Sequence, residues 1–314
     1  MTTARKPVSV RGRPRSRREE GGDAREQKRA HVSVMTKEVL EALALRPGDV
    51  VVDATFGQGG HSRALKASQK IQLIAIDADK GTLMPRPGEA PVVIGNFADL
   101  TSILKTLEVT KVDKVLFDLG WNRGQLASGR GFSFLHDEPL NMSYGTKPRS
   151  GFTAAEILNE WSEPVLADVI FGYGEERYAR RIARMVVERR ATQPFATSVE
   201  LAEVVRDSVP AAYRRGRIHP ATKTFQALRI AVNDELGALD AGLRAAWHAL
   251  TSGGRIAVIT FHSIEDRAVK RHFAALAKTG EGKLMYKKPL APTAAEIRDN
   301  PASRSAKLRA IEKL

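Results

Sequence analysis

Cysteine is absent from the 314 residues. That removes disulfide frameworks, thiolate zinc sites and cysteine nucleophiles, and it fits a reducing compartment without establishing one. No uninterrupted apolar run approaches the roughly 18 residues that a membrane span needs. A secretory signal is not expected either, because the first thirty residues are polar and Arg-rich with no apolar h-region. Acidic residues are in deficit: 36 Asp and Glu face 50 Lys and Arg, which leaves a formal net charge of +14. Residues 1–30 hold ten Lys/Arg against four Asp/Glu, a net of +6, so the rest of the chain carries +8. A body that is basic in its own right points to polyanions, nucleic acid or anionic membrane, as partners. Charge that serves solubility alone is the plainer alternative. With 42% apolar residues a substantial core can form, so a wholly disordered chain is excluded. The length suggests one large domain or a domain carrying an insertion.

Residues 1–30 lack apolar periodicity and read as a disordered basic arm. A mitochondrial transit peptide fits less well, because Glu19, Glu20, Asp23 and Glu26 break the acid-poor pattern of such segments. Beyond residue 31, strands and helices alternate. Val50-Val51-Val52-Asp53-Ala54, Ile71 to Ile76, Val92-Val93-Ile94 and Val115-Leu116-Phe117 read as buried parallel strands, with helices expected over 61–68 and near 98–108. This order predicts an α/β fold with a right-handed, doubly wound sheet. Residues 120–151 read as a long Gly-rich loop, and loops of that length are usually functional. Residues 153–208 read as helices alone, one of them started by the capping box Thr197-x-x-Glu200. A single long helix is expected to carry Phe225, Leu228, Val232, Leu239 and Leu243, followed by a strand at Arg255–Ile259. Helical sequence between two parts of one sheet reads as an inserted subdomain. The tail from Ser305 to Ile311 alternates like an edge strand and can pair antiparallel with Lys283–Tyr286.

Asp53-Ala-Thr-Phe-Gly57-Gln-Gly59-Gly60-His61 lies between a strand and a helix, where glycines let the backbone approach a ligand at the carboxyl edge of the sheet. Asp77 ends the next strand, where a carboxylate can accept from a ribose hydroxyl pair. NAD and S-adenosylmethionine both fit. The dinucleotide fingerprint fails because Ser62 stands where its third Gly would fall, and an acid four residues before the first Gly is more typical of methyltransferases.

At this point the chain resembles the S-adenosylmethionine-dependent methyltransferases of bacterial 16S ribosomal RNA that act on cytosine N4, a family with close mitochondrial relatives. The resemblance runs over nearly all of residues 31–314. It is carried by HVSVMTKEVL (31–40), DATFGQGGHS (53–62), DLG (118–120), RGFSF (130–134), YGEERYARRIA (173–183), HPATKTFQALRIAVNDEL (219–236), FHSIEDRAVKR (261–271) and NPASRSAKLRA (300–310). It implies a class I methyltransferase fold with a helical insertion: a cofactor-binding domain over 31–125 and 216–314, and a loop plus helical insertion for RNA recognition over 126–215. It also implies that Gly59, Gly60, His61, Asp77, Phe97, Asp118 and Gln125 hold the cofactor. The partner it implies is 16S ribosomal RNA or the small ribosomal subunit, with no membrane, in the cytoplasm rather than the mitochondrion. The oligomeric state stays open, a homodimer among the options. The chain departs from the family at Ser33, where Pro is usual, at Trp121-Asn122-Arg123 for Val-Ser-Ser, and at Asn141-Met142-Ser143-Tyr144 for Asp-Met-Arg-Met.

An exocyclic cytosine amine is a poor nucleophile, whereas a sulfonium methyl is already activated, so the expected chemistry requires no metal. The protein must align the reacting atoms, accept hydrogen bonds from the amine and exclude water. Asp118 is the first choice for the acceptor. Trp121 follows in Asp118-Leu119-Gly120-Trp121, in the place where many amino-methyltransferases carry an aromatic that stacks on the base; packing on the insertion is its alternative. His219, His262, Glu265 and Asp266 read as loop-organising or base-contacting, and the spacing within 262–266 suits a solvated helix start as well as a metal. On a helix expected over 175–190, Arg177, Arg180, Arg181 and Arg184 share one face, opposite Tyr178, Ile182, Met185 and Val186. Arg214 and Arg215 add a second basic cluster beside Tyr213. Guanidinium groups at these spacings can follow phosphates and stack on unpaired bases, or form a solvated face.

Overall fold

The computed structural model describes residues 33–83, 91–120 and 123–314; the arm expected over 1–30 and the expected base-stacking Trp121 lie outside them. Along the chain run α1 (Thr36–Leu43), β1 (Val50–Asp53), α2 (Gly60–Ser68), β2 (Gln72–Asp77), β3 (Val92–Ile94), α3 (Leu100–Thr106) and β4 (Val112–Asp118). Seven helices follow: α4 (Arg123–Leu126), α5 (Ala154–Glu160), α6 (Glu163–Gly174), α7 (Ala179–Arg190), α8 (Ser198–Ser208), α9 (Ala211–Arg214) and α10 (Thr222–Asn233). The chain then returns to the sheet through α11 (Glu235–Ala249), β5 (Leu250–Thr260), α12 (Ser263–Lys278), β6 (Gly282–Leu284), α13 (Ala294–Asp299) and β7 (Lys307–Lys313).

The strands form one sheet in the order β3-β2-β1-β4-β5-β7-β6. The first five are parallel, and β7 runs antiparallel to both its neighbours. Successive residues alternate between two buried faces, as the pleat requires. Val52, Val115, Phe117 and Val258 join Leu239, Leu243 and Trp247 of α11 on one side. Val51, Leu116, Ala257 and Ile259 meet Val39 and Leu43 of α1 and Leu65 of α2 on the other. Burial on both faces explains the near-continuous apolar runs. Strand order reverses between β1 and β4, and the crevice at that switch point is where open α/β sheets bind ligands. Three carboxylates end strands there: Asp53, Asp77 and Asp118.

Three local expectations are corrected. The tail strand is not at the edge; β7 lies between β5 and β6, because alternation reports one apolar face and not the number of neighbours. Its polar side faces protein, where the Arg309 guanidinium donates to Asp266 of α12 at 2.7 and 3.1 Å. The long helix after residue 222 is two helices, since Asp234 takes the left-handed conformation (φ 46°) and breaks the run; Asn and Asp tolerate that region better than other L residues. The helix expected from 175 begins at Ala179. Glu175 is left-handed at φ 49°, and the buried Glu176 carboxylate accepts from the Tyr178 N–H at 2.9 Å, which holds 175–178 as a turn.

The helices from α5 to α10 share a separate core around Ile157, Leu166, Ile182, Leu201, Phe225 and Leu228. Residue 216, where the sheet domain is expected to resume, precedes α10, whose apolar face belongs to this helical core. The packing changes at Asp234.

Candidate active site

The Gly-rich loop after β1 is built by its backbone. The Gly57 N–H donates to Asp77 Oδ2 at 2.6 Å, and Gly59 turns the chain into α2 at φ 74°. A Cβ at Gly59 would lie 2.6 Å from Phe56 Cζ, so a side chain there is refused on both counts. A Cβ at Gly60 would collide with the Ser33 hydroxyl, which places the first departure from the family directly against the loop. Ser62, where the dinucleotide fingerprint has glycine, donates its hydroxyl to Asp53 Oδ2 at 2.6 Å. Asp53 is completely buried, and burial pushes its carboxyl above the usual range although the Ser62 bond opposes the shift.

Asp77, the strand-end acid expected to take a ribose hydroxyl pair, already accepts from two backbone N–H groups. Oδ2 accepts from Gly57, and Oδ1 accepts from the Asp79 N–H at 2.8 Å. Burial still outweighs these donors and pushes its pKa up to about 6. Each oxygen retains a lone pair, so the carboxylate can take ribose hydroxyls as well.

Asp118 is held from two sides. Its N–H donates to Thr55 Oγ1 at 2.7 Å, and its Oδ2 stands 3.3 Å from Nε2 of the buried His61. Its Oδ1 is buried and meets no hydrogen-bond partner among the described residues. Burial alone would lower the His61 imidazole, but the adjoining Asp118 carboxylate, with Asp53 and Glu296 further off, holds it above its ordinary value.

Phe97 is half-buried. Its ring meets Phe117 edge-on at 5.4 Å and fills the space above Gly242 of α11, where a Cβ would approach it to 2.7 Å. Gln125 is buried, and its amide donates to Asp79 Oδ2 at 3.1 Å. Arg130 and the Gly81 N–H donate to Asp79 as well. Asp79 and Arg130 were not expected in this site. The only signal available for Asp79 is its place two residues beyond Asp77, and Arg130 sits in the RGFSF string with no local pattern to reveal its partner.

Near α12 the expected solvated helix start is corrected. His262 caps the helix, accepting at Nδ1 from the Glu265 N–H at 3.3 Å, and both Glu265 and Asp266 are buried. Glu235, His262 and Glu265 bring ligand-type atoms within 4.8 Å of one another. The cation beside them is a guanidinium: Arg229 donates to Glu235 at 2.7 and 2.9 Å, and Glu235 also accepts from the Tyr144 hydroxyl at 3.0 Å. His219 is exposed, and its ring stacks on Phe134 at 4.5 Å.

Arg177, Arg180, Arg181 and Arg184 are all exposed. Arg177 lies on the turn before α7, with its guanidinium 4.8 and 4.9 Å from the rings of Tyr178 and Tyr213. Those rings meet edge-on at 5.0 Å, so the two basic clusters join into one surface. Arg215 is exposed on it, while Arg214 donates to the carbonyls of Val209 and Asp207 and closes the end of α8.

Five parallel strands, an antiparallel β7 and a glycine-started helix facing strand-end carboxylates across the switch point define a class I methyltransferase. The MraW methylase family matches residues 28–314, and the chain belongs to that family. It is therefore an enzyme, and its methyl donor is S-adenosylmethionine. It is 46% identical over 294 residues to ribosomal RNA small subunit methyltransferase H of Nostoc punctiforme, covering 91% of this chain and 94% of that one. The proteins of the same name from Symbiobacterium thermophilum and Rhodospirillum centenum are each 43% identical, covering 90% of this chain and 96% and 92% of theirs. Among the described residues no helix is long and apolar enough to cross a membrane.

Proposed function

We propose that this chain methylates N4 of a cytidine in 16S ribosomal RNA, acting on the small ribosomal subunit in the cytoplasm. The observation that carries the reading is Asp118 Oδ1, a buried acceptor with no partner among the described residues, at the switch point beside the helix start at Gly59 and Gly60. A carboxylate oxygen in that state is suited to an amine that must lose planarity and then a proton.

Cofactor placement follows the chain's own groups. Gly59, Gly60 and the backbone of His61 form the cradle, Asp77 takes the ribose hydroxyls, Phe97 offers its open half to the adenine, and Gln125 and Asp118 border the site. Bound S-adenosylmethionine supplies a methyl already activated by its positive sulfur. Asp118 accepts hydrogen bonds from the target amine, and Trp121, three residues on, covers one face of the unstacked base. Residues 31–125, with the chain from Asp234 onward, serve the cofactor, and the insertion between them serves the RNA. Arg177, Arg180, Arg181, Arg184 and Arg215 follow its phosphates, with Arg177 between two tyrosines as a stacking platform, while Arg214 stays with the end of α8.

The test is transfer of labelled methyl to small subunits from a strain lacking the enzyme, with the modified nucleotide mapped by mass spectrometry. Label on cytidine N4 of 16S RNA is expected. Label on another RNA or on DNA would move the substrate, and binding without transfer would make the chain a silent assembly factor.

A further inference from the structure

We infer that the side chain of His61 is a positioning residue for the reaction, holding Asp118 Oδ2 so that Oδ1 alone faces the target amine; this rests on the amino-methyltransferase reading above. The resemblance places His61 among cofactor-binding residues, but its backbone and side chain have separate work. The backbone belongs to the helix start after Gly59. The ring is buried, with Nε2 3.3 Å from Asp118 Oδ2 in an ion-pair contact, and neither ring nitrogen makes a hydrogen bond among the described residues. A buried imidazole aimed at a carboxylate fixes which oxygen is occupied, as the orienting partner of a catalytic group does.

The reason for such a device lies in the charges nearby. Asp118 ends β4 close to Asp53, which ends β1 and is completely buried. Two carboxylates in one dry crevice oppose each other's ionisation. Groups facing His61 come from three elements: Asp118 from β4, Asp53 from β1 and Glu296 from α13. All three are acidic, so together they favour the imidazolium form of the ring. In the transfer, N4 bonds to the methyl carbon as the carbon–sulfur bond breaks, the sulfonium becomes a neutral thioether, and N4 releases one proton. Asp118 Oδ1 takes that proton, which it can do only as a carboxylate. The short step from Asp53 through Ser62 and Thr55 keeps the crevice in shape, since Ser62 donates to Asp53 and Thr55 accepts from the Asp118 N–H.

The proposal is tested on the full chain with His61→Gln, which keeps a neutral N–H near the position of Nε2, and His61→Ala, which keeps none. Binding of S-adenosylhomocysteine by calorimetry should stay within about threefold of wild type in both, because the loop backbone is retained. Single-turnover methylation of small subunits should fall about 10- to 100-fold in His61→Ala, with partial recovery in His61→Gln. A cofactor-free readout accompanies this: nitrogen-detected imidazole titration of His61 should move to lower pH in Asp118→Asn. An unmoved titration overturns the pairing. Wild-type rates in folded His61 variants overturn the positioning role. Weakened S-adenosylhomocysteine binding with kcat preserved also overturns it, since the pair would then serve the cofactor. A wild-type enzyme that methylates no cytidine amine removes the functional reading and this inference with it, an outcome distinct from all the others.

Discussion

Cofactor affinity should depend on pH through Asp77. Its pKa is pushed up to about 6, chiefly by burial, so the carboxylate that would accept two ribose hydroxyls is ionised at neutral pH and protonated in mild acid. If only the ionised form binds well, the protonated fraction sets the loss. About nine-tenths of the groups are protonated at pH 5 and about three in a hundred at pH 7.5, so affinity should be about tenfold weaker at pH 5. Folding has the opposite sign. A carboxyl whose folded pKa lies above its ordinary 3.8 contributes stability below that value, and loses it as pH rises through about 6. A melting curve would mix the two effects, so affinity itself must be measured.

Calorimetric titration of S-adenosylhomocysteine between pH 5 and 8 is the assay, and Asp77→Asn is the control that separates this group from His61, whose imidazole is held above its ordinary value. The Asn variant should bind weakly at every pH, by about 1.5–3 kcal/mol at pH 7.5, with the pH dependence lost. Part of that loss is structural: the new amide would face either the Gly57 or the Asp79 N–H, each of which now donates to the carboxylate. Wild-type affinity that is constant from pH 5 to 7.5 would refute the reasoning, as would an Asn variant that keeps the slope.

Three further outcomes are expected. Replacing Arg177, Arg180, Arg181 and Arg184 together by Gln should weaken RNA binding and flatten the salt slope by about 0.7 for each phosphate that is no longer neutralised, with cofactor affinity unchanged; an unchanged slope in filter binding leaves a solvated face. Trp121→Ala should lower single-turnover methylation by up to about two orders of magnitude, in line with a stacking energy of about 1–3 kcal/mol, while Trp121→Phe keeps most of the rate. Loss of activity that merely follows the unfolded fraction in a thermal melt would assign Trp121 to packing. Arg229→Met should cost about 3–5 kcal/mol in urea unfolding, because it leaves the Glu235 carboxylate inside the protein without its guanidinium and with the Tyr144 hydroxyl as its remaining donor; a loss below about 1 kcal/mol would show that the pair is not a buried one in solution.

The strand ends are legible in the sequence because a buried parallel strand, a Gly-rich turn and a helix leave only one place for the next acid; Asp77 and Asp118 both fall there. Their partners are not legible. The donors to Asp77 are backbone N–H groups, which nearly every residue carries and no pattern marks. The Asp118–His61 contact joins residues on different strand–helix units, and the spacing of either residue alone carries no sign of it. The break at Asp234 escapes sequence reading because the apolar period runs through it almost unchanged, and Asn233-Asp234 is the only mark of a left-handed residue. The same break conceals the Arg229–Glu235 pair. On one continuous helix these residues, six apart, would point away from each other, while across the kink they meet at 2.7 Å.

The departure at 141–144 then has a physical account. Arg130 donates to Asp79 at the end of β2, and through its other nitrogen to the carbonyl oxygens of Ser143 and Tyr144 at 2.9 and 3.0 Å. Carbonyl acceptors do not depend on side-chain identity, so this tie between the cofactor end of the sheet and the loop survives the replacement of both residues. What the replacement changes is the far side of the loop. Tyr144 stacks on Phe132 with ring centroids 5.6 Å apart, and its hydroxyl donates to Glu235, which Arg229 holds in turn. Its backbone N–H donates to Asn233 Oδ1 at 2.8 Å, at the very break between α10 and α11. A loop anchored by backbone on the sheet side and by a half-buried tyrosine on the helical side keeps its place between the two while its sequence departs from the family's, and Arg130, which reaches both Asp79 and that loop, joins the β2 end of the cofactor site to the helices that carry the basic surface.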